Sequence, residues 1–188
     1  MTKKIGAALI IALVAGGGVF AVDWAAYPDS IAKGNFIINA GIGFGTPLYG
    51  SMVIPPLSVS ADYALPIGGL PFTLGVLGGF NASERKWSDG YIEKFTGIVI
   101  AGRFGYHPNL GVKNLDVYAG TALGYYIYSR EGEGNWTGST PKPDDDYSRP
   151  YWGLNLGARY AFTGNIGAFV ELGYSALTFV TAGVSFKI

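Results

Sequence analysis

Eight segments of this chain alternate large apolar residues with small, polar or charged ones at a period of two. This is the period of a β-strand, whose successive side chains point to opposite faces. The segments span 35–45, 57–65, 72–80, 96–106, 115–128, 151–162, 166–175 and 180–188. In the first, Phe36, Ile38, Ala40, Ile42 and Phe44 share one face, and Asn39, Gly41, Gly43 and Gly45 lie on the other. The second and sixth repeat the rule, with Leu57, Val59, Ala61, Tyr63 and Leu65 against Ser58, Ser60 and Asp62, and Trp152, Leu154, Leu156, Ala158, Tyr160 and Phe162 against Asn155, Gly157 and Arg159. Within the segments, charges fall on the small-residue face. A soluble sandwich hides its apolar face and wets the other; here the ions take the narrow face, so the apolar one is expected to look outward into lipid.

Most of these segments hold nine to twelve residues, which suits tilted membrane strands that need roughly nine to eleven to cross. In lipid only closure removes unpaired strand edges. The expected fold class is therefore all-β, a closed eight-stranded antiparallel up-and-down transmembrane β-barrel. Connections 66–71, 107–114 and 163–165 read as short turns, whereas 46–56, 81–95, 129–150 and 176–178 read as loops on the opposite side. Short turns belong to the periplasmic side and longer loops to the outside.

Lys3 and Lys4 precede the apolar run Ile5 to Ala15, and Gly16-Gly17-Gly18 interrupts it before Val19-Phe20-Ala21. That order of basic, apolar and small residues predicts a signal peptide over 1–21, Sec-type export and cleavage near Ala21; an uncleaved anchor is the alternative. Residues 22–34 then form a periplasmic N-terminal segment, and 35–188 the barrel domain.

Hydrophobic residues make up 49% of the 188 and charged residues 14%, too apolar for an ordinary soluble surface. Lys+Arg and Asp+Glu balance at 13 each, which leaves no basic field to recruit nucleic acid. The absence of cysteine excludes disulfides, thiolate nucleophiles and Cys-ligated metals.

The inward face carries Asp62, Arg103, Asp116, Arg159, Glu171 and Lys187, three charges of each sign. The interior of an eight-stranded barrel is just wide enough for side chains to fill it, so these six are expected to pair as a lumen polar network. Arg159 and Glu171 stand about equally far from the 163–165 turn and are expected to be direct or diagonal cross-strand neighbours. Solvated charges lining a narrow pore are the competing reading. On the outward face, Phe104, Tyr106, Trp152, Tyr160, Phe162, Tyr174 and Phe186 are candidates for aromatic girdles at the two membrane interfaces. The inward glycines have a bland reading in a tightly curved wall with little inner room, and "GIGFG" lacks the strand-to-helix context of a nucleotide site.

The segments "YHPNLGVKNLDVYAGTALGYY", "GLNLGARYAFTGNIGAFVELGY" and "FVTAGVSFKI" together resemble the small eight-stranded outer-membrane barrels of the OmpA, OmpX and OmpW class. The resemblance covers almost the whole mature chain. It implies a bacterial outer membrane, outer-membrane lipids as surroundings and recognition by the outer-membrane assembly machinery. Such barrels usually end on an aromatic residue, whereas here Phe186 is followed by Lys187 and Ile188.

Catalysis finds little material. His107, the single histidine, lies in an expected turn and reads as a turn or interface residue. Ser83-Glu84-Arg85-Lys86 matches S-x-x-K without its companion motifs. Asp144, Asp145 and Asp146 do not have the spacing of a calcium loop. No enzyme activity, cofactor or metal is expected. Trp87, Tyr91, Trp136 and Tyr147 lie in 81–95 and 129–150, where they are candidates for contact with a surface ligand or with the membrane interface. The leading functional expectation is a barrel with a largely side-chain-filled lumen, serving a structural or surface-interaction role through its outer loops. A narrow channel for small or apolar solutes is the alternative. A soluble barrel of lipocalin type requires the opposite placement of Arg159 and Glu171.

Overall fold

In the computed structural model, the described residues are 22–88, 90–134, 145–174 and 177–188. The eight strands are β1 (Phe36–Phe44), β2 (Ser51–Ala64), β3 (Phe72–Lys86), β4 (Ile92–Tyr106), β5 (Leu115–Glu133), β6 (Asp145–Ala161), β7 (Ile166–Tyr174) and β8 (Val180–Lys187). Each pairs antiparallel with the next, and β8 returns to β1, closing the barrel through pairs such as Ile38 with Phe186 and Ile42 with Ala182. The outward parity exposes Val76, Ile100, Leu123 and Leu156 by 62 to 67% in mid-strand. So continuous an apolar exterior is incompatible with water as its solvent.

The wall is uneven in height. β3 to β6 run 15, 15, 19 and 17 residues, whereas β7, β8 and β1 run 9, 8 and 9. Pairing of β3 with β4 continues to Lys86 and Ile92, and pairing of β5 with β6 to Arg130 and Asp145. Much of 81–95 and 129–150, expected as loop, is therefore strand that rises beyond the apolar belt. Alternation misses these extensions because Glu84, Arg85, Lys86, Glu93 and Lys94 put charge on both faces; the backbone ladder continues where the hydrophobic pattern stops. β2 breaks register between Met52 and Leu57, around Pro55 and Pro56, which lack the N–H a continuous ladder requires.

The strands join through short turns at the end that also holds both termini of the described barrel, here called the turn end; the opposite side is the loop end. The segment over 22–34 lies across the turn-end mouth. Asp23 and Asn109 exchange backbone hydrogen bonds at 2.8 and 3.0 Å, and Tyr27 donates its hydroxyl to the Phe72 carbonyl. Ile31 is buried against Ile37 and Ala64, with Tyr27 packed on the cluster. The proposed signal peptide, and with it Trp136 and Asp144, lies outside the described residues.

Candidate functional site: the filled lumen

The inward parity of the strands stacks side chains in tiers along the barrel axis. Nearest the turn end, His107 continues the odd-numbered inward row of β4 two residues beyond Gly105. It is 2% exposed, with Nε2 3.0 Å from Thr73 Oγ1 and Nδ1 2.9 Å from Asp116 Oδ1. Its ring stacks on Tyr118 at 5.0 Å between centroids. The expectation of a turn or interface residue is corrected: His107 is a lumen residue. The turn composition "YHPN" hid it, and the parity of β4 was the signal that marks it. Arg159 completes the tier, donating from Nη1 to Asp116 Oδ2 at 2.6 Å with its guanidinium 5.1 Å from the Tyr118 ring centroid.

One tier further in, Arg103 lies between two carboxylates. Its Nε is 3.2 Å from Asp62 Oδ1, and its Nη2 donates to Glu171 Oε1 at 2.7 Å. Tyr118 donates its hydroxyl to the same Glu171 oxygen at 2.7 Å. Asp62, Asp116 and Arg159 are at most 6% exposed, so each ion has given up most of its hydration. Only the partner ions and hydrogen bonds repay that loss.

The hairpin sets Arg159 and Glu171 side by side as expected, but the two do not pair with each other. Glu171 is registered opposite Gly157 and Arg159 opposite Phe169, which makes Arg159 and Glu171 diagonal neighbours, yet each finds its ion partner elsewhere. Arg159 reaches the adjacent strand β5, and Glu171 reaches across to β4. Lys187 departs from the expected network: it donates from Nζ to the Ser30 carbonyl at 2.9 Å, and no carboxylate pairs with it among the described residues. It stands at the last register pair of β8, opposite Ile37 at the turn-end mouth, where the N-terminal segment supplies its acceptor.

Above the ions the lumen turns apolar. Val99, Ala101, Ala122, Tyr126, Tyr151 and Leu177 form a buried cluster, with Leu77 and Tyr128 packed on it. Large residues on the inward face break the expected rule of small or polar residues there. They fit because glycine stands beside them: a Cβ added at Gly157 would lie 2.2 Å from Tyr118 Cζ, and one at Gly97 would lie 2.9 Å from the Tyr126 hydroxyl. Alternation of bulky and small inward residues fills a small barrel without widening it. Leu177 and Thr178 enter from the low side of the wall, Thr178 donating to the Phe44 carbonyl at 2.7 Å.

At the loop end, Glu93 is 1% exposed, and its carboxylate accepts from Arg130 Nη2 and, at 2.9 Å, from Trp87 Nε1. Burial favours the neutral acid, but these two donors outweigh it and hold the Glu93 carboxyl below its ordinary value. Of the loop aromatics singled out in the sequence, Trp87 and Tyr147 are exposed, with Arg85 over Trp87 at 4.4 Å and Tyr147 against Tyr128 at 4.8 Å. Tyr91 is buried.

The outward aromatics fall into two groups. Phe104, Tyr106, Tyr160, Phe162 and Phe186 lie near the turn end, where Phe72 contacts Phe104 at 4.7 Å and Tyr160 contacts Phe162 at 5.8 Å. Trp152 and Tyr174 lie toward the loop end, Trp152 donating Nε1 to Thr121 Oγ1 at 2.9 Å.

A closed, all-antiparallel eight-stranded barrel with an apolar exterior and ionic interior defines this chain as a small eight-stranded transmembrane β-barrel. Among solved structures it is similar to a major outer membrane protein from Thermus thermophilus, with a TM-score of 0.53 and 18% identity, covering 84% of this chain and 100% of that one. It is similar, too, to the N-terminal β-barrel domain of Pseudomonas aeruginosa OprF, with a TM-score of 0.52 and 16% identity, covering 83% and 98% of the two chains. No protein-family model matches the sequence, and no curated protein matches it.

Proposed function

We propose that this chain is a bacterial outer-membrane protein whose barrel is closed to solutes, and that it serves a structural or surface-interaction role through its loop-end sheet. Sec-type export with cleavage near Ala21, contact with outer-membrane lipids and handling by the outer-membrane assembly machinery belong to the same reading. The turn end is then periplasmic and the raised sheet of β3 to β6 extracellular. The observation that carries the proposal is the filling of the lumen in series, two ionic tiers below an apolar one.

The raised sheet offers what a partner would meet. Exposed Trp87 and Tyr147 supply amphipathic rings, and Lys86 with Glu84 and Lys94 with Glu133 supply paired charges on exposed strand surface. We propose no reaction for this chain. Thr73, His107 and Asp116 align hydroxyl, imidazole and carboxylate as a nucleophilic triad does. However, they are 2, 2 and 0% exposed, and Asp116 is shared with Arg159, so the alignment reads as packing of the lumen.

Planar-bilayer conductance of the refolded mature protein tests closure: silence is expected, and reproducible small openings would favour the channel reading. Deleting the raised β3–β4 hairpin tip, residues 84–94, tests the surface role. Cell-surface binding should fall while heat-modifiable gel mobility, the mark of a folded barrel, is kept.

A further inference from the structure

A cleft at the turn end has an unusual lining. It lies between the β6–β7 turn, the end of β8 and the N-terminal segment, with about 280 Å³ of space counted out to its open side. Arg159, Lys187, Ser30, Ser185 and Asn165 supply its polar lining, and no carboxylate lines it among the described residues. Two of these are deeply buried, Ser185 at 3% and Arg159 at 6% exposed.

The polar groups here are undersatisfied. Arg159 uses Nη1 on Asp116, while its Nε and Nη2 are buried with no hydrogen-bond partner among the described residues, as is the Ser30 hydroxyl. Nε and Nη2 form the side-on edge of a guanidinium, the edge that matches two oxygens of one oxyanion. Among the described residues Lys187 Nζ donates only to the Ser30 carbonyl, one of its three protons, and no carboxylate pairs with it. A cation with no carboxylate paired to it among the described residues, beside orphaned donors in a cleft that no acid lines, calls for an anion with several acceptor oxygens. The cleft also includes Ile166, an outward residue 47% exposed at the edge of the apolar belt. A headgroup lying at that interface could place its phosphate in the cleft with its chains along the barrel wall.

The geometry points to a phosphate-binding site: the cleft takes a phosphate group on Lys187 and Ser30, with the Arg159 charge behind it, supplied by a phospholipid headgroup or by free phosphate. This rests on the membrane reading above, because only an inserted barrel brings the turn end to a lipid interface.

The test uses the refolded protein in maltoside micelles, following the amide shifts of Asn165, Gly167 and Ser185 by NMR. Dihexanoyl-phosphatidylglycerol is titrated in one arm, inorganic phosphate in a second and phosphate-free dihexanoylglycerol in a third. Saturable shifts are expected with a phosphate-bearing probe, weakened about tenfold by Lys187→Gln and unchanged by Lys113→Gln, which alters a cation of another turn. Shifts with the lipid alone assign the headgroup as the source; equal shifts with inorganic phosphate assign the free ion. No saturable shift with either, the same shifts with dihexanoylglycerol, or equal affinity in Lys187→Gln overturns the site. Ser30→Ala provides a second variant if Lys187→Gln loses spectral dispersion: weaker binding is expected there too, and equal affinity overturns the site. Heat-modifiable mobility and vesicle insertion, measured on the same preparation, report separately on the membrane reading.

Discussion

Arg103 on β4 and Glu171 on β7 meet inside the barrel with Nη2 2.7 Å from Oε1, although 68 residues and two intervening strands separate them. The contact crosses the lumen, so it depends on the stagger of the closed sheet rather than on any one hairpin. Glu171 therefore belongs energetically to Arg103 and Tyr118, and Arg159 belongs to Asp116.

Double-mutant cycles separate the two pairings. Arg103→Met strands Asp62 and Glu171 and should cost about 3–5 kcal/mol, as removal of one partner from a buried pair does. The Arg103 and Glu171 cycle should show coupling of about 1–3 kcal/mol, and the Arg159 and Glu171 cycle less than about 0.5. Urea unfolding from lipid vesicles measures both; a larger coupling for Arg159 with Glu171 would contradict the pairing.

Gly157→Ala should destabilise the barrel by about 1–3 kcal/mol, because the new methyl would meet the Tyr118 ring at 2.2 Å against a fixed strand. Tyr118→Ala removes the obstacle. In the double variant the cost should be clearly less than the sum of the single ones, read by the same unfolding assay.

The ionic and apolar tiers block the lumen in series, and this orders the conductance results. Glu171→Gln alone should stay silent in planar bilayers, since Val99, Tyr126, Tyr151 and Leu177 still fill the lumen above it. Combining Glu171→Gln with Leu177→Gly should produce openings that neither variant shows alone. Openings in Glu171→Gln by itself would mean that the apolar tier does not seal.

Acid should loosen the loop-end sheet through Glu93. Its carboxyl is held below the ordinary value of 4.5 by Arg130 and Trp87 despite its burial. A depressed folded value gives stability that is fully present above the unfolded value and is lost as pH falls through the folded one. Amide protection in 91–95 and 128–133, taken relative to the intrinsic exchange rate at each pH, should therefore fall on acidification below the ordinary carboxylate range. Glu93→Gln should remove that loss of protection; a protection factor that still falls with acid in the variant would assign the effect to another group.

How much was legible beforehand varies with the kind of contact. The strand cores read directly because lipid on one side and a crowded lumen on the other impose opposite demands on alternate residues. The upper strands did not read, since beyond the belt both faces of Glu84 to Lys86 and of Glu93 and Lys94 are charged and the two-residue signal vanishes. His107 was readable only by extending the parity of β4 past its last glycine. Lys187 shares the inward parity of the other ions, yet it binds the Ser30 carbonyl of the N-terminal segment, a contact that alternation does not encode.

The sequence by itself determined the number of strands, their antiparallel order and which side chains face inward, because these follow from local alternation and from the requirement that lipid-exposed backbone be paired. Tertiary structure decided which inward charges meet, which glycine makes room for which ring and where Leu177 inserts. Those contacts join strands far apart in the chain, and their heights are set jointly by register and shear once the sheet has closed.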